Sequence, residues 1–112
     1  MSKIKMNITY EHFKKLEIRN GRILTAERVE GTDKLLKLEV DFSDFKRQIV
    51  SGIAEFYKQE QLIGKQFPFV VNLEPRIIRG VESQGMLLTI AAGEKIVLLK
   101  PQKKVKEGSM VG

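Results

Sequence analysis

Leu36, Leu38 and Val40 alternate with Lys37, Glu39 and Asp41, the period of two expected of a strand with one face buried and the other wet. Met86, Leu88 and Ile90 repeat the alternation around Leu87 and Thr89, which predicts a second such strand with the first three turned inward. Gly21 to Val29, Lys46 to Ser51, Phe67 to Val71 and Lys95 to Leu99, with turn residues between them, are further strand candidates. Pro68 cannot donate to a ladder, so it should sit on an edge, at a bulge or at the start of its strand.

Two segments break this pattern. Thr9 is placed to cap a short helix at Tyr10 to Lys15, its hydroxyl accepting an otherwise orphan backbone N–H. A second helix is expected at about Ala54 to Gln61, ending before Gly64 and lying between the third and fourth strands. Five or six short strands with a helix in that place fit the oligonucleotide/oligosaccharide-binding (OB) barrel. The expected fold class is therefore all-β, an OB-fold barrel with short helices and with N- and C-terminal extensions. One domain over residues 1–112 is expected, its core at about 13–100. The sequence shows no internal repeat and no interdomain linker.

A chain of this length buries roughly two-thirds of its unfolded surface, enough to hold a core without staples. It has no cysteine, which excludes disulfides, thiolate metal sites and a cysteine nucleophile and suits a reducing cytoplasm. The opening residues MSKIKMNITY lack the apolar stretch of a signal peptide. No apolar run approaches the roughly 20 residues that span a bilayer, so no membrane partner is expected. The charge changes the picture more: 20 basic against 14 acidic residues give a net +6 and a pI near 9.7. Such a balance favours a polyanionic partner, because neutralising phosphates releases counterions.

The segment Asn72 to Met86, NLEPRIIRGVESQGM, is where that charge meets other binding chemistry. Asn72 and Pro75 punctuate the end of an apolar run and should bring the chain to the surface. Arg76 and Arg79 present planar, permanently charged forks that grip phosphate or stack on a base. Gly80 and Gly85 frame a short loop in which Ser83 and Gln84 can hydrogen-bond base edges or ribose hydroxyls. Met86 offers a polarisable surface to an unstacked base. A polar turn with solvated arginines fits the same residues, and for Met86 a place in the core is the alternative.

This string, with RQIVSGI at Arg47 to Ile53 and FKKLEIRNGRI at Phe13 to Ile23, resembles the tRNA-binding domain family. Its members include the C-terminal dimerisation domain of methionyl-tRNA synthetase, a free-standing bacterial tRNA-binding protein, and domains like the endothelial-monocyte-activating polypeptide. The similarity runs from about Phe13 to Gly108, with three motifs in order. The resemblance implies an OB barrel and a tRNA-binding site at Lys34, Asn72, Arg76, Arg79, Ser83 and Met86. Lys34 stands in the GTDKLL loop and reads equally as a solvated lysine. Glu82 should brace the arginines or a backbone amide, and Ser51 and Gly52 should close a strand.

The implied function is structure-specific tRNA binding that delivers or holds tRNA for an aminoacyl-tRNA synthetase, methionyl-tRNA synthetase above all. The implied partners are tRNA, a second copy in a homodimer, and a synthetase catalytic subunit. Segments near both termini build the family's dimer, which points to Ile4, Met6, Ile8, Phe13, Val105, Met110 and Val111. The alternative is a homodimeric peptide-binding chaperone like CsaA, of the same fold, which departs from the family at the NLEPR and ESQGM strings. The lysine-rich KPQKKVK at Lys100 to Lys106 is a solvated tail or an aid to phosphate attraction.

Machinery for chemistry is missing. His12 is the lone histidine and reads as a surface residue. No G-x-S-x-G elbow and no glycine-rich phosphate loop occurs. Asp41 and Asp44 offer at most weak hold on a hard cation. No enzymatic activity, no metal and no cofactor is expected.

Overall fold

A computed structural model describes residues 3–112. The alternating segments do become strands: β2 (Leu36–Asp41) buries Leu36, Leu38 and Val40 and leaves Glu39 exposed. It lies between β1 (Ile18–Arg28) and β3 (Lys46–Ser51), antiparallel to both. Strand β1 also pairs with β4 (Gln66–Val70), and β4 pairs with β7 (Met86–Leu87). The resulting order is β3-β2-β1-β4-β7, with β10 (Met110–Val111) joining β1 at its start.

One long strand can serve both halves because it bends. The β1–β2 register slips between Ile23 and Thr25, a bulge that sharpens twist and curvature. Gly21 precedes it, and a Cβ there would stand 2.6 Å from both the Phe42 ring and a Val40 methyl. Inside the curl Ile23, Leu38, Val40, Phe42, Ile49, Leu62, Phe67 and Phe69 are almost wholly buried, and Phe42 meets Phe69 edge-on at 5.6 Å. Fully burying such side chains contributes about 1.5–3 kcal/mol each. The molecule is thus an all-β, nearly closed OB-like barrel.

Several expectations are corrected. The helix at Ala54 to Gln61 is instead a turn followed by a single 3₁₀ turn at Gln59–Gln61. Tertiary bonds override helix propensity there: Ala54 N–H donates to Lys34 O, Tyr57 Oη to Ile96 O and Gln59 Nε2 to Ala26 O. Lys58 between them is extended, at φ −83° and ψ 154°. The predicted strand through Met86, Leu88 and Ile90 is two strands, β7 and β8 (Thr89–Ala92); the faces are reversed in β7, and no residue of β8 is buried. Leu87 is the buried residue, while Met86 and Ile90 are each 45% exposed. Strand β8 forms a separate hairpin with β9 (Lys95–Leu98). Pro68 is neither on an edge nor first in β4; its carbonyl accepts from Leu88 N–H where the β7 ladder ends, so its missing donor falls beyond that ladder.

Thr9 caps α1 (Tyr10–Lys14), its Oγ1 accepting His12 N–H at 3.1 Å. The C-terminal segment runs alongside the start of β1 and is tied to β4. Gln66 bonds both the carbonyl and the amide of Val105, Arg22 Nε donates to Glu107 at 2.7 Å, and Asn20 exchanges backbone bonds with Gly108 and Ser109.

Candidate nucleic-acid interface

The stretch read as a loop between Gly80 and Gly85 is instead largely the second strand of a β-hairpin. Strands β5 (Arg76–Ile78) and β6 (Val81–Ser83) pair Arg76 with Ser83 and Ile78 with Val81, leaving Arg79 and Gly80 as a two-residue turn. Both have positive φ, 53° and 81°, the type I′ geometry that matches strand twist. Glycine takes this conformation freely, whereas an arginine there costs on the order of 1–3 kcal/mol. The strained turn sets the Arg79 side chain at the hairpin tip.

That tip faces the β1–β2 loop. Arg76, Ile77, Ile78 and Arg79 line one concavity of about 460 Å³ with Thr32, Lys34 and Leu35. Lys34 and Arg79 also line the adjoining hollow with Arg28 and Thr32, where three carboxylates, Glu30, Asp33 and Glu55, share the wall. The loop is fixed from beneath, Lys34 N–H donating to Thr32 Oγ1 at 3.1 Å and Lys34 O accepting Ala54 N–H at 3.0 Å. Among the described residues no carboxylate lies within 4.0 Å of Lys34, Arg76 or Arg79. Three of the residues read from sequence therefore converge on one trough as uncommitted cations.

Asn72 and Ser83 do not join them. The Asn72 amide accepts Glu17 N–H at 2.8 Å and donates to Lys15 O at 2.6 Å, tying the exit of β4 to the chain after α1. Ser83 is 4% exposed; its Oγ accepts Val50 N–H at 2.9 Å and donates to Gly85 O at 3.0 Å. Gln84 works in the same way, its backbone N–H donating to Gln48 O at 2.7 Å while its Oε1 accepts Gln48 N–H at 2.9 Å. Gln48 Nε2 in turn donates to Glu82 O, so Glu82 contributes its carbonyl here rather than a brace for the arginines. These bonds give β3's open edge the partners a neighbouring strand would supply, and so close the barrel. Gly85 completes the seam, since a Cβ there would stand 2.6 Å from Val70 O.

Met86 pairs with Val70 and is 45% exposed on β7, which removes the core reading and leaves an apolar surface. Sequence reasoning passed over Thr32, which shares the trough, and Arg28, which lines the adjoining hollow. The signal for Arg28 was its place at the end of the strand run that enters GTDKLL. The lysine-rich tail adds a basic patch, in which Lys100 and Lys104 face Lys65 across a shallow hollow.

Residues 18–110 match the tRNA binding domain family. The chain belongs to that family. The methionine–tRNA ligase of Methanothrix thermoacetophila is 54% identical over 101 residues, 90% of this chain but 15% of that enzyme's length; the chain thus spans only a small part of the ligases it matches. A crystal structure of a MetRS related protein from Pyrococcus horikoshii superposes with a TM-score of 0.91 at 39% identity, covering 96% of this chain and all of that one. The chaperone CsaA of Bacillus anthracis superposes at 0.87 with 29% identity, covering 96% of this chain and 100% of its own. A tRNA binding domain is a non-catalytic module, and His12 lies exposed on α1. Among the described residues no helix is long and apolar enough to cross a membrane.

Proposed function

We propose that this domain holds tRNA for an aminoacyl-tRNA synthetase, methionyl-tRNA synthetase in particular, and that it works as a homodimer of single 1–112 domains. The observation that carries the reading is the convergence of Lys34, Arg76 and Arg79 on one trough, free of carboxylate partners. Cations held on a rigid barrel grip the sugar-phosphate backbone and set register without reading sequence. Met86, exposed on β7, offers a surface for one unstacked nucleotide. Asn72 and Ser83 serve the site indirectly, by fixing the two ends of the hairpin. Linked to a catalytic part, the module raises the local concentration of tRNA and adds affinity without a new contact at the active site. The similarity to methionine–tRNA ligases supports this choice of partner.

A CsaA-like peptide-binding role is favoured by the fold likeness and by a run of outward apolar residues, Ile4, Met6 and Ile8. Binding of folded tRNA in competition with an unfolded polypeptide separates the two. The tRNA reading expects displacement only by RNA and strong salt dependence; preference for polypeptide with little salt dependence replaces it with the chaperone reading.

A further inference from the structure

The NLEPR string is divided between two places. Arg76 belongs to the Lys34 trough, but Asn72, Leu73, Glu74 and Pro75 line a different concavity, of about 470 Å³, with Phe45, Arg47, Gln84 and Glu17. At its floor Phe45 stacks on Phe42, with ring centroids 5.1 Å apart and planes 21° from parallel. The Arg47 guanidinium lies 4.8 Å from the Phe45 ring centroid. Arg19 also approaches this ring, at 5.9 Å, but it is committed to Glu17 and to Gly108 O. Arg47 has no carboxylate within 4.0 Å among the described residues.

We propose that this groove is a second contact point for RNA, in which an unpaired nucleobase stacks on the Arg47 guanidinium held against Phe45. The proposal deepens the tRNA reading and rests on it. A guanidinium resting on an aromatic ring is pre-oriented, and its other plane is a platform for a base. The groove suits a base better than a phosphate. Its rim carries the Glu74 carboxylate, which has no cationic partner within 4.0 Å among the described residues. A carboxylate repels phosphate and accepts from exocyclic amino groups, as it does from cytosine N4. Asn72 has its amide spent on the backbone, so it shapes the wall and leaves recognition to Arg47 and Glu74.

Arg47→Lys tests this because it keeps the charge and removes the plane. Stacking predicts a loss of about five- to a hundredfold in affinity for folded tRNA, with the salt slope and the melting temperature unchanged. Wild-type affinity in Arg47→Lys overturns the proposal, and so does a parallel collapse of the melt, which makes Arg47 a structural residue. The side-chain Nε–H resonance of Arg47 in the wild-type protein gives an independent readout with an oligo-cytidine hexamer as probe. Its displacement by the hexamer supports the groove, whereas no displacement, or displacement only by unfolded polypeptide, overturns it. If wild-type protein fails to bind folded tRNA while this resonance still responds to the hexamer, the tRNA reading falls and the base-stacking groove stands.

Discussion

Ser83 and Met86 stand three positions apart, 4% and 45% exposed respectively, and replacing each should do different things. Ser83→Ala leaves the buried Val50 N–H without its acceptor, which costs about 1–3 kcal/mol. Its melting temperature should fall by at least about 4 °C, with tRNA affinity near normal at low temperature. An unchanged melt with lost affinity would make Ser83 a direct contact after all. Met86→Ala should scarcely move the melt, because a half-exposed side chain leaves little cavity, yet lower tRNA affinity by about five- to a hundredfold with the salt slope unchanged. Retained affinity would remove Met86 from the site. Neither distinction was available from the sequence, where Ser83 reads as a surface hydrogen-bonder and Met86 as either surface or core; burial of Ser83 depends on β3, more than thirty residues upstream.

Among the elements, β2 was legible because a barrel wall has one wet and one dry face, and side-chain period reports that directly. The β5–β6 hairpin was not, since Arg76 and Ile77 are both exposed and three-residue strands carry too little alternation. The C-terminal strap was hidden for another reason: its bonds to Asn20, Arg22 and Gln66 join residues about 40 to 90 positions apart. That strap carries a pH prediction. A backbone hydrogen bond at Glu107 and the Arg22 guanidinium hold its carboxyl below the ordinary value of 4.5. A lowered folded pKa gives stability that is present above the unfolded value and lost as pH falls through the folded one. Glu107→Gln should therefore melt below wild type at neutral pH, and the gap should close as pH falls below about 4.5. A gap of constant size across that range would show that the carboxylate charge does not pin the strap.

At the scale of the whole molecule, Ile4, Met6, Ile8, Tyr10 and Met110 are each more than 60% exposed. Closed two-fold dimers are the commonest way for a small domain to cover such a surface. Sedimentation at micromolar concentration should give twice the 12.8 kDa chain mass, with association weakened by removing the residues after Pro101. A monomer would contradict the dimer and leave the site on each chain intact. The trough itself is tested most directly by titrating folded tRNA at several salt concentrations with wild type, Arg76→Ala and Arg79→Ala. Phosphate contact predicts a steep log-log salt dependence for wild type, weaker binding of every tRNA by both variants, and a slope flatter by roughly one unit for each arginine lost. Wild-type affinity and slope in both variants would contradict the account.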